Sequence, residues 1–260
     1  MQESKPLFIA DSCIGGLSVI KALRDAGIAG DAIFLADYEI NPLGVKSDSE
    51  ISAVVRKWLT LAEQQSDTLF IACNTLSIRF RQLMRYRSLP ASLKRVVSMV
   101  DCFEAMVKAE KENLDNKRIL VIGTAFTASQ PLYTDILQEH IPGCRISSIA
   151  ATDLERKIAR FQLNEDGNAP TLTPELEKAL DNADIAILAC TCFPMVKTAL
   201  ESLFPQVLLV DPGAYCSSLV EQHDIKQGNK LTIEVTGDVA SRERVSEFAK
   251  SYLGPGLQVY

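Results

Sequence analysis

Two nine-residue segments of this chain read almost alike. Residues 67–75 are DTLFIACNT and residues 184–192 are DIAILACTC. Each places an Asp, an apolar run, Ala-Cys and a small polar residue at the same spacing, and each leads into a helical pattern. A short continuous apolar run bounded by polar residues reads as a strand buried on both faces, the situation of a parallel sheet. A weaker echo pairs LFIADS at 7–12 with LVIGT at 120–124. The chain thus falls into two similar halves. Each opens on a strand ending in small polar residues and later carries a strand ending in Ala-Cys.

The rest of the chain keeps that rhythm. Apolar runs at 6–10, 32–36, 68–72, 96–99, 118–122, 146–149, 185–189, 207–210 and 231–235 predict strands. Amphipathic stretches at 16–26, 48–66, 75–86, 102–113, 130–140, 174–182 and 194–203 predict helices between them. Such alternation belongs to βα units and predicts an α/β fold of two pseudo-symmetric parallel-sheet domains, for which 260 residues supply ample core. EDGNAPTLTP at 165–174 is the one extended loop. Ligands of open parallel sheets bind beyond the carboxyl ends of the strands, near helix N-termini. A pseudo-twofold axis would therefore bring Cys73 and Cys190 to opposite walls of one cleft.

Composition narrows the function. A net charge of −6 and a pI near 5.1 give no footprint for nucleic acid. No apolar run is long enough to span a bilayer, and MQESKPLFIAD is not a secretory signal, so a cytoplasmic protein is expected. Seven cysteines, an odd number, argue for buried, catalytic or metal-binding thiols rather than a disulfide framework. The two histidines, His140 and His223, lie in polar stretches away from the repeated motifs. Acid–base chemistry must then come from other residue types. Neither a Walker loop nor G-x-G-x-x-G is present, so no nucleotide cofactor is expected.

A cysteine between a parallel strand and a helix sits where the helix field favours the thiolate. A thiolate on one wall can remove a proton as general base while a thiol opposite returns one as general acid. Inverting a carbon acid needs both at once. Ser12, Asn74, Thr75, Thr124, Thr127 and Thr191 are the strand-end groups able to hold a carboxylate and an ammonium. Plainer readings stand beside these. Cys102, Cys144 and Cys216 read as core residues. Asp11-Ser12 also reads as a helix cap. Gly15 and Gly16 serve either a tight turn or a close approach. Cys13, Cys73, Cys190 and Cys192 would bind zinc if all four converged, but there is no second short-spaced pair and no metal site is expected.

Taken together, the motifs resemble those of the cofactor-independent glutamate racemases of the aspartate/glutamate racemase superfamily. DSCIGGLSV at 11–19 is similar to that family's Asp-Ser-Gly-x-Gly-Gly-Leu-Ser opening, and NPLGVKS at 41–47 to its Pro-Tyr-Gly-x-Lys-Ser loop. ACNTLS at 72–77 and LACTCFP at 188–194 resemble its two cysteine motifs, and VTGDVASRERVSEFAKSYLG at 235–254 its C-terminal segment. The resemblance implies two flavodoxin-like domains, residues 1–97 with 210–260 and residues 98–209, with the active site between them. It implies Cys73 as base for the D-enantiomer, Cys190 as base for the L-enantiomer, and Asp11 as helper of Cys73. Cys192 stands in the place of the histidine that helps the second cysteine. Ser12, Pro42, Leu43, Gly44, Asn74, Thr75, Thr124, Thr127 and Thr191 would line a small amino-acid substrate. No cofactor, nucleic acid or membrane is implied, and a homodimer is a candidate assembly.

Four departures keep the activity open. They are Cys192 for His, Leu43 for Tyr, Cys13 for Gly, and AATDLERKIA at 150–159 for the family's Ala-Cys-Pro…Glu stretch. The candidates are a racemase of glutamate or of another amino acid, a related decarboxylase or cis–trans isomerase of a dicarboxylic acid, and a non-catalytic amino-acid-binding module.

Overall fold

A computed structural model of the chain describes residues 5–28, 30–41, 43, 46–84, 89–90, 92–162, 171–220 and 225–260. The chain begins with β1 (Leu7–Asp11), α1 (Gly16–Asp25), β2 (Ala32–Asp37), α2 (Asp48–Gln65), β3 (Thr68–Ile71), α3 (Asn74–Met84) and β4 (Arg95–Ser98). It continues through α4 (Met99–Ala109), α5 (Lys111–Leu114), β5 (Arg118–Gly123), α6 (Ala125–Ser129), α7 (Leu132–His140) and β6 (Arg145–Ala150). Next come α8 (Thr152–Ala159), α9 (Pro174–Asp181), β7 (Ile185–Ala189), α10 (Lys197–Leu203) and β8 (Leu208–Val210). A 3₁₀ segment at Pro212–Ser218, β9 (Lys230–Thr236), α11 (Arg242–Leu253) and β10 (Gln258–Val259) complete it.

Among the described residues the strands form two sheets, and every pairing is parallel. One runs β10-β9-β2-β1-β3-β4 and the other β6-β5-β7-β8. With β9 and β10 set aside, both have the order second-first-third-fourth, the arrangement of flavodoxin-like doubly wound sheets. The fold is therefore α/β with two parallel sheets related by internal similarity. β1 corresponds to β5 and β3 to β7, so the two echoes in the sequence fall on matching strands. β10 eluded the sequence reading because two residues carry no periodicity.

Side-chain alternation divides the core. Leu7 and Ile9 of β1 face one side, Phe8 and Ala10 the other, as a period of two requires. Phe8, Ala10, Leu69 and Ile71 pack under α2 and α3 around the fully buried Trp58. Ile119, Val121, Ile185 and Ile187 pack under α4 and α7. The third cluster joins the sheets, since Leu7, Ile9 and Phe34 of the first share it with Leu120, Ile122 and Leu188 of the second. Each fully buried side chain of this kind contributes about 1.5–3 kcal/mol, so the two halves are held by a common core beneath the cleft.

Local signals fix the helix starts. Ser47 and Glu50 form a capping box at α2, and Ser98 and Asp101 another at α4. The second box starts α4 at Met99, three residues earlier than the sequence pattern predicts. α1 has no side-chain cap, so neither Asp11 nor Ser12 serves as one. Among the described residues, no helix is long and apolar enough to cross a membrane.

Candidate active site

Four strand ends converge on one cleft of about 140 Å³. β1 delivers Asp11, Ser12 and Cys13, and β3 delivers Cys73, with Asn74 and Thr75 opening α3. β5 delivers Thr124, and β7 delivers Cys190 and Thr191. Cys73 and Cys190 thus both line the cleft. Leu43 lines it as well, whereas Pro42 and Gly44 lie outside the described residues. Thr127 stands one layer back, its hydroxyl 3.2 Å from that of Thr124 and 3.5 Å from that of Thr75. Cys192 is fully buried behind the wall, 3.3 Å from Cys13 sulfur to sulfur. Cys102 and Cys216 are core residues, and Cys144 is half-buried before β6.

Asp11 organises the first half of the site. Its Oδ2 accepts a 2.8 Å hydrogen bond from Thr191 Oγ1 across the cleft. Its Oδ1 accepts from Ser12 Oγ and Cys13 N–H, both at 3.3 Å. Ser12 Oγ lies 3.5 Å from Cys73 Sγ, so hydroxyl and carboxylate form a path away from that sulfur. Gly15 makes room for this: a Cβ there would stand 2.5 Å from Thr191 Oγ1 and 2.9 Å from Asp11 Oδ2. The close approach is thus the reason for that glycine, whose φ of −52° is ordinary.

Burial sets the charges. It lifts the Asp11 carboxyl to about 6, against the pull of Thr191, Cys13 N–H and Ser12. It also pushes the Cys73 thiol well above its ordinary range, helped by the Asp11 carboxylate and opposed by hydrogen bonds from Ser12 and from Leu76 N–H. The Leu76 bond arises because Cys73 immediately precedes α3, at its field-positive end. Without ligand, Cys73 is therefore a protonated thiol in a setting prepared for its thiolate. At Cys13 the hydrogen bond with Cys192 favours the thiolate, but burial and Asp11 outweigh it and raise the thiol to about 12. Cys192 is pushed up by its contacts with Cys13 and Cys190 and by burial.

Asn74 shows what the site lacks. Tyr133 O–H donates to Asn74 Oδ1 at 2.6 Å, which fixes the amide orientation. Asn74 Nδ2 is then a buried donor without a partner. An unpaired buried donor costs about 1–3 kcal/mol.

Several contributors carry no motif. Tyr133 positions Asn74 from α7. Tyr38 spans the cleft by donating its hydroxyl to Ala159 O at 2.8 Å, and Asn41 Nδ2 donates to Ser12 O at 2.6 Å. α8 brings Thr152, Glu155 and Arg156 to the cleft, and Arg160 follows at its C-terminal end. Its apolar Leu154 and Ile158 at a four-residue spacing were the available sequence signal. Burial raises Glu155 to about 7, reinforced by Asp11 and opposed by Arg156 and Arg160. Glu155, Cys13 and Cys192 offer ligand atoms all within 4.8 Å of one another. Among the described residues this group, rather than the four-thiol cluster considered from sequence, is the one with metal-ligand spacing.

Known proteins resemble this chain in sequence and in fold. The model of the Asp/Glu/hydantoin racemase family matches residues 28–217. A glutamate racemase of Limosilactobacillus reuteri is 30% identical over 215 residues, covering 81% of this chain and 77% of its own. One from Fusobacterium nucleatum is 25% identical over 270 residues, covering 100% of this chain and 98% of its own. The crystal structure of glutamate racemase from Campylobacter jejuni superposes with a TM-score of 0.73 at 28% identity, over 95% of this chain and 98% of that one. Because the family model covers more than half of its length, the chain belongs to the Asp/Glu/hydantoin racemase family.

Proposed function

We propose that this racemase interconverts L- and D-glutamate without a cofactor, by proton transfer between Cys73 and Cys190. The carrying observation is that both repeat-related cysteines line one cleft at the ends of matching strands. The glutamate racemases among its relatives support the substrate. The D-enantiomer presents its α-hydrogen to Cys73. The Cys73 thiolate takes that proton, the C–H electron pair passes into the α-carbon and carboxylate, and the Cys190 thiol delivers a proton to the opposite face. The reverse reaction exchanges the two roles. Ionisation of Cys73 releases its proton toward Ser12 and Asp11, and the substrate ammonium offsets the negative charge that burial penalises.

Asn74 Nδ2, Thr75 and Thr124 hold the substrate carboxylates, with Thr127 setting the hydroxyl rotors. Arg156 and Arg160 draw a dicarboxylate to the mouth. Thr191 ties Asp11 to the Cys190 side, and Cys192 acts through Cys190 and Cys13 rather than by touching substrate. In domain terms the reading divides the chain into 1–97 with 210–260 and 98–209, supported by the strand membership of the two sheets. Seven free thiols fit a reducing cytoplasm.

The test is incorporation of solvent deuterium at the α-carbon, followed by proton NMR across a panel of L- and D-amino acids. Exchange and racemisation of glutamate above all others are expected. Binding of glutamate without exchange would establish the non-catalytic alternative. Carbon dioxide release from a saturated dicarboxylic acid, or cis–trans interconversion of an unsaturated one, supplied in place of the amino acids, would establish the decarboxylase or the isomerase.

A further inference from the structure

We propose that Cys13, Cys192 and Glu155 form a zinc site whose fourth coordination position opens into the cleft. Cys13 follows β1 of the first sheet, Cys192 follows β7 of the second, and Glu155 lies on α8. The two sulfurs are 3.3 Å apart and the three ligand atoms lie within 4.8 Å of one another. Sulfurs bound at 2.3 Å to a tetrahedral zinc stand about 3.8 Å apart, so binding requires a shift of only a few tenths of an ångström. Two thiolates and one carboxylate suit zinc, since softer ions favour all-sulfur sets and harder ones all-oxygen sets.

Charge supplies an independent reason. The half-buried carboxyl of Glu155, the buried carboxyl of Asp11 and the buried thiols of Cys13, Cys190 and Cys192 crowd one corner. The basic residues at the same cleft, Arg156 and Arg160, are exposed at its rim. A divalent cation would offset the charge of this group, because a coordinated thiol loses its proton outright. Binding therefore releases two thiol protons, and the Glu155 proton where present, to solvent.

A disulfide would also use two close sulfurs. It gives Glu155 no part, however, although its carboxylate lies within 4.8 Å of both sulfurs. Cys13 and Glu155 line the cleft, so the fourth position faces the proposed substrate space. Zinc there clamps the two halves together and excludes the amino acid. Only this competition rests on the racemase reading; binding of the metal does not.

The experiment is titration of the full chain with zinc by calorimetry, and with cobalt by absorption, without amino acid present. The expected result is one metal per chain, a thiolate-to-cobalt charge-transfer band, and a binding heat that varies with buffer ionisation enthalpy in proportion to the protons released. Cys13→Ser and Cys192→Ser should each lower affinity by more than the roughly 10–100-fold that outer-shell partners contribute, and Glu155→Gln should weaken it less. Cys144→Ser should bind as wild type. Circular dichroism of each variant separates lost binding from lost fold. Absence of stoichiometric binding overturns the proposal. So does binding that survives in folded Cys13→Ser and Cys192→Ser proteins, or a two-proton mass deficit marking a Cys13–Cys192 disulfide in the purified protein.

Discussion

Thr191→Val removes the hydrogen bond that crosses the cleft to Asp11, 2.8 Å long, while nearly preserving side-chain shape. In the native protein Asp11 sits at about 6, with Thr191 the strongest of the contacts holding it down against burial. A hydrogen bond to a charged group contributes about 1.5–3 kcal/mol. One pKa unit corresponds to about 1.4 kcal/mol, so the substitution should raise Asp11 by roughly 1–2 units. At pH 7 the carboxyl then passes from mostly ionised to about half ionised or less. The path from Cys73 through Ser12 ends on this group, so its protonation blocks ionisation of the thiol. The acid limb of kcat/KM against pH, measured with D-glutamate, should move up by the same roughly 1–2 units. Activity should be largely recovered in alkaline buffer. A uniform loss at every pH, or an unmoved acid limb, would refute the role given to Asp11.

Tyr133→Phe releases the Asn74 amide from its fixed orientation. It should raise KM for glutamate roughly 2–10-fold with little change in kcat, as steady-state kinetics would read; an unchanged KM removes Asn74 Nδ2 from substrate binding. Asp11 and Glu155 titrate near 6 and 7 in the native protein, above their ordinary 3.8 and 4.5, so the folded state holds the extra protons. Their contribution to stability therefore falls as pH rises from roughly 4 to 7 and is level above. Urea midpoints of wild type and Glu155→Gln should diverge across that window, with the variant less pH-dependent; parallel curves contradict it. Cys192→His alone must displace Cys13, whose sulfur lies 3.3 Å away. It should cost about 1–3 kcal/mol of stability through overpacking, and adding Cys13→Gly should restore the melting temperature. A well-folded single variant no less stable than wild type would show that the ring finds room elsewhere.

The strands were legible because parallel strands buried on both faces become unbroken apolar runs, as LFIAD and IAILA do. The two cysteines that line the cleft were legible because the repeat put Ala-Cys at the end of both β3 and β7. What escaped lacks local periodicity or depends on distant pairing. α8 is eight residues long with no side-chain cap, so its apolar pair was too brief to mark a helix. Tyr133 reads as one more buried residue of α7, and only its bond to Asn74 gives it a part in the site. The Cys13–Cys192 contact joins residues 179 positions apart. Each was visible from sequence as a departure, but their meeting was not, nor was the arrival of Glu155 beside them. Cys13 also supplies volume in the space that a histidine ring at 192 would need, which makes the two departures a linked pair.

The central claim is that two cysteines work on opposite faces of one carbon. It is tested most directly by measuring racemisation and α-proton exchange for both enantiomers of glutamate in Cys73→Ser and Cys190→Ser. Chiral chromatography gives the first and proton NMR in heavy water the second. Racemisation should fall by at least the roughly 10²–10⁴-fold of a lost acid–base group in both variants. Residual exchange should be confined to D-glutamate in Cys190→Ser and to L-glutamate in Cys73→Ser. Racemisation near the wild-type rate in either folded variant, or residual exchange on the same enantiomer in both, would contradict the two-cysteine account.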